Sequence, residues 1–233
     1  MSKGIFIDLE GVDGSGKATQ TTLLTDYLRS QGMSIENISF PRYGETSAAL
    51  VKDYLNGKFG PAEAVSPQQA SIFYAIDRFA AKKQIQEWLE AGKIVISNRY
   101  VASNLGHQGG KFTDAQEREK FFSWALDLEY NIFGIPQPDI TLILWITPTI
   151  SQDLVDQKEK REYLNGGKRD IHEDSLTHLR GASEAYTHIS QLYPGFQIIN
   201  CLAETGEMLD RETIQKKIQA VISKYLAINP PNL

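Results

Sequence analysis

Gly11-Val12-Asp13-Gly14-Ser15-Gly16-Lys17 sets glycines and a lysine at the spacing G-x-x-x-x-G-K. Glycines let the backbone curl until successive N–H groups converge on phosphate oxygens. A helix starting there adds its partial positive end, and the lysine reaches the phosphate being transferred. The implied chemistry is the binding of a nucleotide's phosphates by Gly11, Asp13, Gly14, Ser15, Gly16 and Lys17, with Ala18 and Thr19 at the helix start. Ala18 departs from the pattern, because that position normally supplies a Ser or Thr hydroxyl to Mg2+. Thr19 faces about 100° away from it on a helix. Metal ligation therefore has to come largely from elsewhere, and Asp13, inside the loop, is a candidate.

Two further segments follow strand-like runs, Phe40-Pro41-Arg42-Tyr43-Gly44 and Asn98-Arg99-Tyr100-Val101-Ala102-Ser103-Asn104. In doubly wound sheets ligands bind beyond the carboxyl ends of the strands, which places Arg99 to hold a second anion beside the phosphate loop. Tyr74 and Arg78 are four apart on one helical face. Such a pair suits stacking on a nucleobase and reading its carbonyls, or else belongs to the core, where aromatics at helical spacing usually go. Lys158, Lys160, Arg161, Lys168 and Arg169 form a basic stretch that reads either as a solvated face or as a segment closing over the transferring group. Asp170 and Glu173 after it read as a helix cap or as a metal or hydroxyl contact. His107 is given a binding role at most, since phosphoryl transfer to an oxyanion needs no general base. Cys201 reads as a small buried hydrophobe.

The elements that must position these residues alternate. Ile5–Leu9, Ile35–Phe40, Ile94–Ile96, Ile140–Ile146 and Phe196–Ile199 are strand-like. Between them lie helical stripes ending near Gly32, around Ser47–Asn56, over Pro67–Ala91, from about Thr113, after Thr147-Pro148, near Leu176–Leu192 and near Arg211–Leu226. The long one has explicit signals: Ser66 as cap, Pro67 at the first position, Gln69 completing a capping box and Gly92 at its end. The alternation predicts an α/β fold, a doubly wound parallel sheet of about five strands covered by helices on both faces. One domain, 1–233, is expected, with a short lid at about 158–174.

Composition narrows the function classes. With 24 Lys and Arg against 29 Asp and Glu, the net charge is −5, which argues against a general nucleic-acid binder. The 41% hydrophobic and 23% charged content is that of an ordinary globular protein. No apolar run approaches the ~18 residues of a membrane span, and the start shows no signal-peptide pattern. A single cysteine excludes an internal disulfide and fits a reducing compartment. The expectation is a cytoplasmic protein acting on small molecules.

Taken in order, Glu10 to Lys17, Phe40 to Gly44, Tyr74 with Asp77-Arg78, Arg99 to Asn104, and the basic segment with Asp170 and Glu173 resemble the thymidylate kinase family, in the nucleoside-monophosphate kinase group of P-loop proteins. The resemblance runs over nearly the whole chain. It implies transfer of the ATP γ-phosphate to dTMP, with Mg2+, in a homodimer. It implies further that Lys17 and the loop amides hold ATP, that Arg99 and Tyr43 meet the dTMP phosphate, and that Tyr74 stacks on thymine. Arg78 and Asn104 would hydrogen-bond the base, Phe40, Pro41 and Ser103 line the pocket, and Asp13 and Glu173 lie near the sugar 3′-hydroxyl and the metal. Gly14 stands where some relatives carry an arginine, which shifts that charge to Arg161 or Arg169. Asn98 replaces a usual aspartate, and His107 stands where a tyrosine often helps exclude a ribose 2′-hydroxyl. Kinases for other acceptors, such as dUMP or a deoxynucleoside, and a catalytically weak nucleotide-binding module are the alternatives.

Overall fold

The computed structural model describes residues 4–61, 64–156 and 176–229. Its centre is a strand of almost continuous apolar character, β1 (Ile5–Glu10), every residue of which is buried. A run of that kind is stable only between two covered faces, as in a parallel sheet. β2 (Ile35–Ser39), β3 (Ile94–Asn98), β4 (Ile140–Trp145) and β5 (Phe196–Asn200) complete it in the order β2-β3-β1-β4-β5, all parallel. The chain builds one flank of β1 and then crosses to the other, so β1 and β3 end at the crevice where such sheets bind ligands.

Helices cover both faces. α1 (Lys17–Ser30) follows β1, and α2 (Ala49–Leu55) and α3 (Pro67–Glu90) connect β2 to β3. α3 starts as its capping box requires: the Ser66 hydroxyl accepts from the Gln69 N–H at 3.2 Å, and the Gln69 side chain accepts from the Ser66 N–H at 2.9 Å. α4 (Val101–His107), α5 (Ala115–Leu126), α6 (Pro148–Asp156), α7 (Leu176–Leu192) and α8 (Arg211–Ile228) follow in turn. None of the described helices is long and apolar enough to cross a membrane.

Several details differ from the expectation. β2 stops at Ser39, one residue before Phe40. α5 begins at Ala115 rather than about Thr113, capped by Asp114, whose carboxylate accepts the Glu117 N–H at 2.9 Å. Residues 101–107 are the helix α4 rather than a plain connection, and Asp127–Ile132 form a π-helical turn. α4 escapes notice because it is short and ends in Gly106-His107, and glycine weakens a helical signal. The expected lid, 158–174, with Arg161, Arg169 and Glu173, lies outside the described residues.

α4 lies against α7 through glycines. A Cβ on Gly106 would enter the Tyr186 ring, and one on Gly110 would meet the backbone of Gly181. Tyr186 is fully buried, so its ring has no room to retreat. Gly106→Ala is expected to destabilise the fold by about 1–3 kcal/mol, the usual cost of overpacking, as read from urea unfolding midpoints.

Candidate active site

Beyond the carboxyl ends of β1 and β3 opens a cleft of about 760 Å³. Its floor at one end is the loop between β1 and α1. Gly14 and Gly16 hold φ of +80° and +88°, values natural to glycine, and this turns the chain into the start of α1. A Cβ on Gly11 would collide with the Leu144 carbonyl. The Ser151 hydroxyl donates to the Asp13 carbonyl at 2.5 Å, pinning the loop from the β4 side. Lys17 folds back across the loop, donating to the carbonyls of Gly11 (2.9 Å) and Val12 (2.8 Å). Asp13, Gly14, Gly16, Lys17, Ala18 and Thr19 line the cleft, while Gly11 and Ser15 are buried.

Arg99 sits at the turn out of β3 with φ +71°, a left-handed backbone that costs a non-glycine residue roughly 1–2 kcal/mol. Its N–H is held by the Leu9 carbonyl at 3.0 Å, and the turn is fixed behind it by Glu10. This fully buried carboxylate accepts from the Tyr100 N–H (2.6 Å), the Ser103 hydroxyl (2.9 Å) and the Tyr186 hydroxyl (3.0 Å). The Arg99 guanidinium then reaches the Asp13 carboxylate at 2.5 Å with Nη2. Its Nη1 reaches the Gly11 carbonyl (3.5 Å), the Ser103 hydroxyl (3.4 Å) and His107 Nε2 (3.2 Å). Burial opposes this charge, but Asp13, Tyr186, Glu10 and Tyr43 outweigh it and hold Arg99 protonated above the ordinary range. For His107 burial comes first and Arg99 second, with His178 and Lys17 adding to them against Asp13; together they push the imidazole well below its usual value.

The other end of the cleft carries Phe40, Pro41, Tyr43, Tyr74, Arg78 and Asn104, with Ser103 and His107 towards Arg99. Arg78 is 1% exposed, and a buried cation needs a partner. It finds Glu129, also buried, in an ion pair whose second contact runs from Nε to Oε2 at 2.8 Å. Burial works against the Arg78 charge, and Glu129 more than restores it. Nη1 donates to the Tyr100 carbonyl at 3.1 Å, and the Asn104 amide joins Glu129 (3.2 Å) to the Ser71 carbonyl (3.1 Å). Asp77 plays the same part for the Phe40–Gly44 turn, its carboxylate accepting from the Arg42 N–H at 2.7 Å and Nε at 3.1 Å.

The structure therefore brings the described members of the expected set into one cleft, except Gly11 and Ser15, which lie buried beneath it. Glu173, Arg161 and Arg169 are outside the described residues. Sequence reasoning quoted Glu10 and Asp77 within the motifs but gave these supporting carboxylates no role, and it passed over Glu129 and the wall formed by Met208, Leu209 and Ile214. Glu10 did carry a signal, a charged residue at the end of a buried strand; Glu129 carried none.

Comparisons with known proteins bear on the chain as a whole. The family model described as thymidylate kinase matches residues 9–211. The thymidylate kinase of Mycobacterium tuberculosis is 31% identical over 170 residues, covering 72% of this chain and 78% of that protein. The probable thymidylate kinase of Thermococcus kodakarensis is 31% identical over 230 residues, covering 95% and 98%. Among solved structures, a thymidylate kinase from Candida albicans superposes with a TM-score of 0.73 at 20% identity, over 97% of this chain and 93% of that one, a likeness of fold.

Removing the partner of a buried ion should be costly. Glu129→Ala is expected to destabilise the protein by roughly 3–5 kcal/mol in urea unfolding, because Arg78 is left buried and unpaired. The histidines give a pH test. His178 is pushed down to about 4, by burial first and then Lys111, against the pull of Asp13. Between that value and 6.5 the unfolded chain binds protons that the folded one refuses, so stability should fall as pH drops through this window. NMR titration should find both imidazoles neutral at pH 6.5.

Proposed function

The chain belongs to the thymidylate kinase family, and from that premise we propose that it transfers the γ-phosphate of ATP to dTMP, yielding dTDP and ADP. One observation carries the reading: Lys17 and Arg99 converge on the same oxygen, the Gly11 carbonyl, at 2.9 and 3.5 Å. A cation of the phosphate loop and a cation from the neighbouring strand end are thus close enough to act on one transferring phosphate. Two polyanions repel when brought end to end, and offsetting that charge in a site that excludes water is most of what phosphoryl transfer requires.

In this reading the amides of Gly14 to Thr19 and Lys17 hold the ATP phosphates, and Arg99 with Tyr43 holds the acceptor phosphate. Tyr74 stacks on thymine while Arg78 and Asn104 hydrogen-bond its edge, each already oriented by Glu129. Phe40, Pro41 and Ser103 wall the pocket, and His107 lies beside Arg99 as a neutral ligand rather than a base. Arg161 and Arg169 of the segment 158–174 would supply further charge over the transferring group. Homodimerisation and a cytoplasmic location complete the proposal.

Mg2+ typically takes one or two carboxylates plus phosphates and waters, and Asp13 beside Gly14 suits that role. Among the described residues no group of three or more His, Cys, Asp or Glu could hold a metal by itself. Asp13, with Glu173, would therefore hold an ion shared with ATP, which offsets phosphate charge when bound.

Incubation with ATP, Mg2+ and a panel of nucleoside monophosphates tests the reading. dTMP should be the best acceptor, with dTDP as product; preference for dUMP or for a nucleoside would replace it. Lys17→Ala should lower kcat by about 10²–10³, the usual loss for one well-placed charge-stabilising group, and leave the circular dichroism spectrum unchanged.

A further inference from the structure

Arg99 is held on its far edge by a chain that runs through two imidazoles. Arg99 Nη1 lies 3.2 Å from His107 Nε2, and His107 Nδ1 lies 3.2 Å from His178 Nε2. The two rings are within 15° of parallel, with centroids 5.4 Å apart, so they meet through their nitrogens. A guanidinium has donors only, which settles the direction of the whole chain. His107 Nε2 must accept from Arg99, so its proton sits on Nδ1. That N–H must then donate to His178 Nε2, which leaves the His178 proton on Nδ1 as well.

We propose that His178 is a positioning residue for the acceptor-phosphate cation: by accepting from His107 Nδ1 it fixes the His107 tautomer, and that tautomer holds Arg99 in place. His178 makes no contact with the proposed substrates in this scheme and acts through His107 alone. The proposal rests on the kinase reading for its kinetic consequences but not for its geometry. It gives α7 a role in the site beyond packing, since the same helix contributes Tyr186 to the carboxylate of Glu10 behind the Arg99 turn. Among the described residues, the charged and titratable groups that face the pair are Arg99 and Asp13 beside the loop, Lys17 on α1, Lys111 after α4, and Tyr186 on α7. Three of these are cationic, so the chain works only while both imidazoles are neutral.

Two substitutions separate hydrogen bonding from shape. His178→Phe keeps a flat ring against His107 but removes the acceptor; His178→Gln restores an acceptor oxygen. Loss of one hydrogen bond to a charged network should raise KM for dTMP about five- to tenfold in His178→Phe, with kcat changed far less, because ground state and transition state both use Arg99. His178→Gln should recover most of that loss. A wild-type KM in His178→Phe, or a His178→Gln variant no better than it, would overturn the proposal. Long-range 1H–15N spectra of the unsubstituted protein, assigned with His107→Gln, give a second readout that needs no turnover. Both histidines should carry the proton on Nδ1 at neutral pH. Finding His107 protonated on Nε2 would refute the inference even if dTMP proves the right acceptor. Finding the expected tautomers in a protein that ignores dTMP would sink the kinase reading and leave the chain of imidazoles standing.

Discussion

A carboxylate cut off from water must be surrounded by donors, and the site is arranged around one that is. Glu10 ends the central strand with no exposed surface and takes hydrogen bonds from the backbone of Tyr100, the hydroxyl of Ser103 and the phenol of Tyr186. Those donors come from the turn after β3, from α4 and from α7, so one charge gathers three separate parts of the chain. The left-handed backbone of Arg99 is tolerated because the residues that follow it are held in this way. The buried carboxylate thus supports from behind the turn whose side chain Asp13 holds in front.

The same device recurs across the cleft. Asp77 organises the turn carrying Phe40 and Pro41, and Glu129 orients Arg78 and Asn104. Arg78, Asn104 and the turn that carries Arg99 thus each have a buried carboxylate behind them. Long cationic side chains lose much rotamer freedom on binding, and holding them beforehand removes that cost from the binding step. Lys17 follows the rule with the carbonyls of its own loop.

What the sequence made legible was local. The phosphate loop, the capping box at Ser66 and the alternation of strands and helices depend on residues a few positions apart, and all were read in advance. Ala18 and Asn98 could be seen as departures for the same reason. The supporting shell was not legible, because Arg78 and Glu129 are 51 positions apart and His107 and His178 are 71 apart. Nothing in a short window marks such pairs. Glu129 sits in a π-helical turn with no apolar period of its own, and the left-handed φ of Arg99 is imposed by the sheet rather than by residue type. Cys201 was read as a small buried hydrophobe and is one, its thiol pushed up to about 12 chiefly by burial.

α3 runs unbroken from Pro67 to Glu90, which makes it about 36 Å long. Near its start it carries Tyr74 and Arg78 into the cleft, and near its end the Leu89 carbonyl receives the N–H of Gly4, just before the central strand begins. It acts as a strut from the entry of the sheet to the base-reading wall. That wall cannot shift inward by itself; it would have to drag the beginning of β1 with it. The Phe40–Gly44 turn is tied to the same strut through Asp77, so the two walls at that end of the cleft are held by one helix.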